Sequence, residues 1–230
     1  MKGKEDIYFK YGFIAICLLE LVSIIFEIKD LMHVSKPLLM PALLVYFRKS
    51  TSGPINLSFI LAALALVFSF VGDSVLMYSA ENEIYFMIGL GAFAVAQLLY
   101  VFSFSQAVDQ DSSELPDTVK VIYATPFVLL GLGLLWFLWP GLGALKIPVT
   151  VYASLIMTMA IYATYRNGRS SQESVNQVIL GAVLFVLSDA LIAINKFHSP
   201  MENERIFVMV TYMLAQWNII NGLQKHYNAQ

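Results

Sequence analysis

Two aspartates lie inside apolar segments of this chain, Asp73 in FSFVGDSVLM and Asp189 in LFVLSDALIAINKF. An ionisable group at membrane depth costs on the order of 3 kcal/mol, and such groups are usually retained for function. Two carboxyl groups that share one pocket cannot both ionise cheaply, so one holds a proton while the other is a carboxylate. The pair therefore predicts acid–base chemistry, in which one group protonates a substrate and the other activates water.

The composition of the chain is typical of a membrane protein. Of its 230 residues, 58% are hydrophobic and 13% are charged, and the mean hydropathy is +0.70. Soluble domains carry roughly 25% charged residues, so this chain has too little polar surface for a water-soluble globule. The net charge of -2 disfavours a nucleic-acid partner. Cys17 is the single cysteine, which excludes an intramolecular disulfide and a CxxC motif.

The apolar segments predict an all-α membrane protein with eight transmembrane helices, forming a single polytopic domain over residues 1–230. A span needs about 20 apolar residues to cross roughly 30 Å of hydrocarbon. The second segment is short, but its prolines, Pro37 and Pro41, are tolerated between packed membrane helices. The predicted spans are Tyr8–Ile28, Leu31–Phe47, Leu57–Tyr78, Ile84–Phe104, Val119–Trp139, Lys146–Tyr165, Val175–Asn195 and Ile206–Leu223.

The distribution of Lys and Arg predicts the orientation. Nine of these residues fall on the side of the N-terminus and five on the opposite side. Cytoplasmic loops carry the excess of positive charge, so both termini are expected in the cytoplasm. The expected location is the endoplasmic reticulum membrane in a eukaryote, or the inner or plasma membrane in a bacterium.

Short motifs in the first half of the sequence weakly resemble motifs in the corresponding spans of the second half. The third and seventh spans carry GDSVL and SDALI, the fourth and eighth carry AQLL and AQWN, and the second and sixth open with KPLLMP and KIPVTV. The offsets are 116, 119 and 110 residues. This pattern fits two parallel four-helix halves. Chance similarity between apolar strings is the alternative.

The depths of the polar residues predict one shared cavity. Asp73 lies five residues, and Asp189 six residues, from the outer end of its span, while Lys36 lies five residues into the second span. At the helical rise per residue, all three lie about 7 to 9 Å deep. The same half of the membrane also contains Glu20, His33 and Lys196. A cavity there would open toward the non-cytoplasmic leaflet.

Structural roles are the alternative for each polar residue. The aspartates would then only bond other helices, with about 0.6 kcal/mol gained per bond on average. Lys36 and Lys196 would extend to the interface instead of contacting a phosphate. Tyr100 would be a packing residue. The three histidines are too scattered for a convincing zinc site, so no metal is expected.

The chain also resembles the YhhN-like lysoplasmalogenases, through VGDSVLM, FAVAQLLYVFSF, FVLSDALIAINKF and TYMLAQ in that order. The resemblance implies an integral membrane hydrolase with eight helices and no organic cofactor. It implies cleavage of the vinyl ether bond of lysoplasmalogens to a fatty aldehyde and glycerophosphocholine or glycerophosphoethanolamine. The family's conserved aspartates would correspond to Asp73 and Asp189, and its following lysine to Lys196. One departure is Gln97, where many members have His.

Together these arguments predict a site with Asp73 and Asp189 as catalytic residues and a lysophospholipid in the bilayer as substrate. The expected substrate-binding residues are polar side chains on or near the same spans: Lys36, Lys196, Asn195, Gln97, Tyr100, Tyr212 and Gln216.

Three other functions remain open from the residues alone. Paired intramembrane carboxylates and parallel repeats also suit a proton-coupled transporter. A non-catalytic lipid-binding protein and a zinc-dependent lipid amidase are the others. The chain lacks GxSxG, HExxH and P-loop motifs, which disfavours a serine lipase.

Overall fold

Long apolar runs, interrupted by Gly, Pro and polar residues, form the helices that carry the two aspartates. A computed structural model describes residues 2–79 and 81–229, with side chains from residue 7 onward. The side chains of Lys2 and Lys4, which contribute to the predicted orientation, lie outside the described part. The described residues form eight α-helices and two short 3₁₀ turns, Trp139–Gly141 and Gly143–Leu145. The helices are α1 (Lys2–Ile25), α2 (Lys29–Ser50), α3 (Leu57–Leu76), α4 (Glu83–Gln106), α5 (Asp117–Leu138), α6 (Lys146–Thr164), α7 (Gln172–Phe197) and α8 (Glu204–Ala229).

Seven segments within the described ranges are long and apolar enough to cross a membrane. They are Ile7–Ile25, Leu57–Leu76, Glu83–Gln106, Asp117–Gly141, Gly143–Thr164, Gln172–Phe197 and Glu204–Ala229. The all-α multi-pass membrane class is thereby confirmed. Helix α2 is not among the seven, because charged residues crowd its first two turns, including Lys29, Asp30 and Lys36. It is nevertheless a continuous helix of 22 residues with both prolines inside it, and its membrane crossing stays a prediction.

Side-chain caps define where several helices begin. The Asn56 side chain accepts a hydrogen bond of 2.9 Å from the Phe59 N–H at the start of α3. Asn82 accepts one of 2.9 Å from the Ile84 N–H at the start of α4. These bonds satisfy backbone donors that have no partner in the first turn of a helix.

Close helix pairs form the interior of the bundle. The two most extensive contacts are α7 with α8 and α3 with α4. Glycine allows the first approach, since a Cβ on Gly181 would lie 2.7 Å from the Ala215 carbonyl oxygen. These two pairs occupy equivalent places in the two halves that the repeat would define, and the repeat itself stays a prediction.

Helices α1 and α5 lie at the periphery. Only 17% of the apolar window of α1 and 11% of that of α5 are buried inside the protein. Large apolar side chains such as Ile122 and Trp136 of α5 are exposed, as expected for surfaces that face lipid. The other six helices therefore form most of the interior of the bundle.

A buried arginine joins the loops at the opposite end of the bundle from the aspartates. The Nε of Arg166 donates to the Ala107 carbonyl at 2.8 Å, and Nη2 donates to the Ser174 hydroxyl at 2.9 Å. Burial lowers the pKa of Arg166 to about 10, so it remains protonated at neutral pH. This residue connects the end of α4 to the start of α7.

Candidate active site

A cavity of about 90 Å³ lies between six helices, α2, α3, α4, α6, α7 and α8. Most of its lining is apolar, including Phe86, Leu90 and Met209. Both predicted catalytic residues are on its wall, although 116 positions separate them in the sequence. Its polar lining residues are Lys36, Asp73, Tyr152, Ser188, Asp189 and Tyr212.

Asp73 of α3 is held by a tyrosine of α8. The Tyr212 hydroxyl donates a hydrogen bond of 2.7 Å to Oδ2 of Asp73, and the carboxyl is buried. Two edge-to-face rings fix the Tyr212 ring, Phe93 at 6.0 Å and Phe185 at 5.5 Å between centroids. Tyr212 is therefore a direct partner of the carboxylate and also faces the cavity.

Asp189 of α7 has a matching tyrosine from α6. The Tyr152 hydroxyl donates to Oδ2 of Asp189. The neighbouring Ser188 donates to the Val208 carbonyl of α8 at 3.1 Å, which fixes this turn of α7 against α8. Each aspartate thus has one tyrosine donor, supplied by a different helix.

Lys36 is the cation of the cavity wall. No salt bridge to Lys36 forms within the described ranges, and its side chain is partly exposed. Glu20 of α1 lies behind it, buried and accepting a hydrogen bond of 2.5 Å from the Ser35 hydroxyl. An ammonium without a fixed partner at the wall is suited to bind an anionic group of a ligand.

Lys196 and Asn195 lie beside the cavity without being among its lining residues. The Nζ of Lys196 is 4.3 Å from the centre of the Phe86 ring, which does line the cavity. The Asn195 side chain accepts a hydrogen bond of 2.8 Å from the Met201 N–H, so it holds the loop between α7 and α8. Lys196 is at the rim, whereas Asn195 has a structural partner.

The other predicted binding residues lie in a layer behind the wall. Tyr100 donates to Oε1 of Gln216 at 2.6 Å, and Nε2 of Gln216 lies 3.4 Å from the Tyr212 hydroxyl. Gln97 is fully buried, and its amide lies beside Tyr152. None of the three lines the cavity.

Tyr152 and Ser188 line the cavity and were missed in the sequence analysis. Ser188 directly precedes Asp189, which was an available signal. The sequence contained no such signal for Tyr152, because its approach to Asp189 depends on how α6 is rotated about its axis. No group of three or more His, Cys, Asp or Glu residues that would suit a metal occurs among the residues described.

These features define an all-α, multi-pass membrane protein with a polar cavity inside its helix bundle. The chain belongs to the YhhN family, whose sequence profile matches residues 31–223. The expected family is thereby confirmed.

Similar proteins carry the name lysoplasmalogenase. Lysoplasmalogenase TMEM86B of Sus scrofa is 34% identical over 152 residues, covering 66% of this chain and 58% of the pig protein. Lysoplasmalogenase TMEM86A of Homo sapiens is 32% identical over 157 residues, covering 66% of this chain and 60% of the human protein. A lysoplasmalogenase of Mycobacterium tuberculosis is 31% identical over 137 residues, covering 59% of this chain and 49% of that protein. The chain thus spans about half to three fifths of these relatives. No solved structure is significantly similar to it.

Proposed function

We propose that this chain, acting as a single membrane domain over residues 1–230, hydrolyses the vinyl ether bond of lysoplasmalogens. The products are a fatty aldehyde and glycerophosphocholine or glycerophosphoethanolamine. The observation that supports the proposal is the location of Asp73 and Asp189 on one cavity, in a chain of the YhhN family. The names of the similar proteins agree with this reaction.

In the first half of the reaction, the protonated aspartate transfers its proton to the β-carbon of the vinyl ether. An oxocarbenium ion forms, and the ionised aspartate stabilises its charge. The same carboxylate removes a proton from water as the water oxygen bonds to the α-carbon. The product is a hemiacetal, and the proton has moved from one aspartate to the other.

In the second half, the hemiacetal collapses and the aspartates exchange roles. The newly protonated aspartate gives its proton to the ether oxygen as the carbon–oxygen bond breaks. The other aspartate accepts the proton of the hemiacetal hydroxyl as the aldehyde forms. Both aspartates return to their starting states, so neither a cofactor nor an external acid is consumed.

The cavity suits the reacting end of the lipid. A cavity of about 90 Å³ is too small for the whole lipid, so the hydrocarbon chain must extend along apolar helix surfaces. In this proposal Lys36 binds the head-group phosphate as a point charge, with Lys196 at the rim. Both termini are cytoplasmic, and the lipid enters from the non-cytoplasmic leaflet.

The reaction is tested with protein purified in detergent, incubated with a lysoplasmenyl lipid and, in parallel, with its saturated alkyl-ether analogue. We expect aldehyde from the vinyl ether alone, because the alkyl ether has no double bond to protonate. In D₂O, the aldehyde should carry one deuterium on the carbon next to the carbonyl, corrected with authentic aldehyde for exchange. Aldehyde from neither lipid, with folded protein, would contradict the proposal.

Replacing Lys36 with Met should raise KM for the lysoplasmenyl lipid about tenfold or more, because a charged contact to phosphate is lost. Lys29→Met is the matched control, at an exposed position of the same helix. An unchanged KM in the Lys36 variant would exclude it as the phosphate contact.

A further inference from the structure

The two aspartates have different surroundings. Asp73 accepts from Tyr212, whose hydroxyl also lies beside Gln216, and it is close enough to Lys36 for their charges to attract. Asp189 accepts from Tyr152, and no cation attracts it in the same way among the described residues. Asp73 therefore has a buried network of hydrogen bonds behind it as well as a cation beside it, and both stabilise a carboxylate more than a neutral acid.

The chain of hydrogen bonds behind Asp73 has a fixed direction. The hydroxyl of Tyr100 is buried, and its hydrogen-bond acceptor is Oε1 of Gln216 at 2.6 Å. If the amide of Gln216 were reversed, the Tyr100 proton would lose its acceptor in an apolar interior, which is costly. The amide nitrogen therefore points to Ser69 at 3.1 Å and to the Tyr212 oxygen at 3.4 Å. As a result, the Tyr212 proton must point to Asp73.

The other groups around the pair do not reverse this difference. Glu20 of α1 repels a charge on Asp73, but Lys36 has the larger opposing effect. The lining residues that α4 contributes are apolar, namely Phe86, Leu90 and Phe93. Asp189 faces Tyr152 of α6 and lies close to Asp73. The negative charge of Asp73 disfavours a second negative charge on Asp189.

We propose that Asp189 begins the reaction cycle as the protonated acid and Asp73 as the carboxylate, with Gln216 and Tyr100 positioning Tyr212 on that carboxylate. The part played in hydrolysis rests on the proposed function. The assignment of the proton does not, because it concerns the protein without substrate. Gln216 and Tyr100, expected from the sequence to bind substrate, are in this view positioning residues.

Infrared spectroscopy of the purified protein at neutral pH tests the assignment without any substrate. A protonated carboxyl group has a distinct C=O stretch, and its frequency rises when a hydrogen bond to it is removed. We expect Tyr152→Phe to raise that frequency and Tyr212→Phe to leave it unchanged, since Lys36 still keeps Asp73 ionised. Asp189→Asn should remove the band. All variants are made in a Glu20→Gln background, because Glu20 is also buried.

The opposite results would overturn the assignment. A band that shifts with Tyr212→Phe and not with Tyr152→Phe would place the proton on Asp73. The absence of any protonated carboxyl band would mean that both aspartates are ionised. If the expected shifts are seen but no lipid is hydrolysed, the proposed function fails while the proton assignment stands.

The positioning role predicts a separate kinetic result. Gln216→Met should lower kcat about tenfold, the effect of one lost hydrogen bond, while KM changes by less than about twofold. KM is spared because Gln216 does not line the cavity. Gln177→Met is the control, since Gln177 is an amide of α7 that also lies away from the cavity. Equal losses in both variants, or a loss only in KM, would contradict the role of Gln216.

Discussion

Asp73→Asn and Asp189→Asn should each lower the turnover of a lysoplasmenyl lipid by about a hundredfold or more. Asparagine has nearly the same size as aspartate and still accepts a hydrogen bond from its tyrosine, but it neither gives nor takes the proton that the reaction needs. Aldehyde release measures turnover. The melting temperature, followed with a thiol-reactive dye on Cys17, reports whether each variant is folded, because Cys17 is the single cysteine and partly buried.

Asp111→Asn is the matched control, because Asp111 is an exposed aspartate of the loop between α4 and α5. It should retain the parent rate. Near-normal turnover in either Asp73→Asn or Asp189→Asn would exclude the paired mechanism. A loss of melting temperature together with activity would instead support a structural role for that aspartate.

Gly141→Ala should lower the free energy of unfolding by on the order of 3 kcal/mol, a large effect for one methyl group. Gly141 lies in the turn after α5, where an added Cβ would overlap the backbone carbonyl of Phe197 at the end of α7. A backbone group cannot move aside as a flexible side chain can, so the end of α7 must shift. Phe197 lines the cavity, and activity should therefore fall as well. The dye assay on Cys17 measures the loss of stability.

Gly133→Ala is the control for this substitution. Gly133 is exposed within α5, and a Cβ there would meet nothing within 4 Å. Alanine is the better helix former, so stability should be unchanged or rise by up to about 1 kcal/mol. If Gly141→Ala melts at the parent temperature, the close contact with α7 does not occur in the folded protein.

Helix boundaries were largely readable from the sequence, since they depend on local residue order. The long apolar runs determined the all-α membrane class, and the spans predicted for the seven strongly apolar helices lie close to the observed ones. Helix α2 is the exception, because its charged residues lower its hydropathy although it forms a continuous helix. Counting residues along a helix predicted similar depths for Asp73, Asp189 and Lys36, and the three residues line one cavity.

The rotation of each helix about its axis was decided by tertiary packing alone. That rotation brings Tyr152 to Asp189 and Tyr212 to Asp73, while Asn195, only six residues beyond Asp189, bonds a loop instead. An apolar helix in a membrane has little contrast between its faces, so its sequence does not show which side will be buried. Close contacts such as that of Gly181 with α8 determine which side of a helix is buried, and they exist only after the helices have packed.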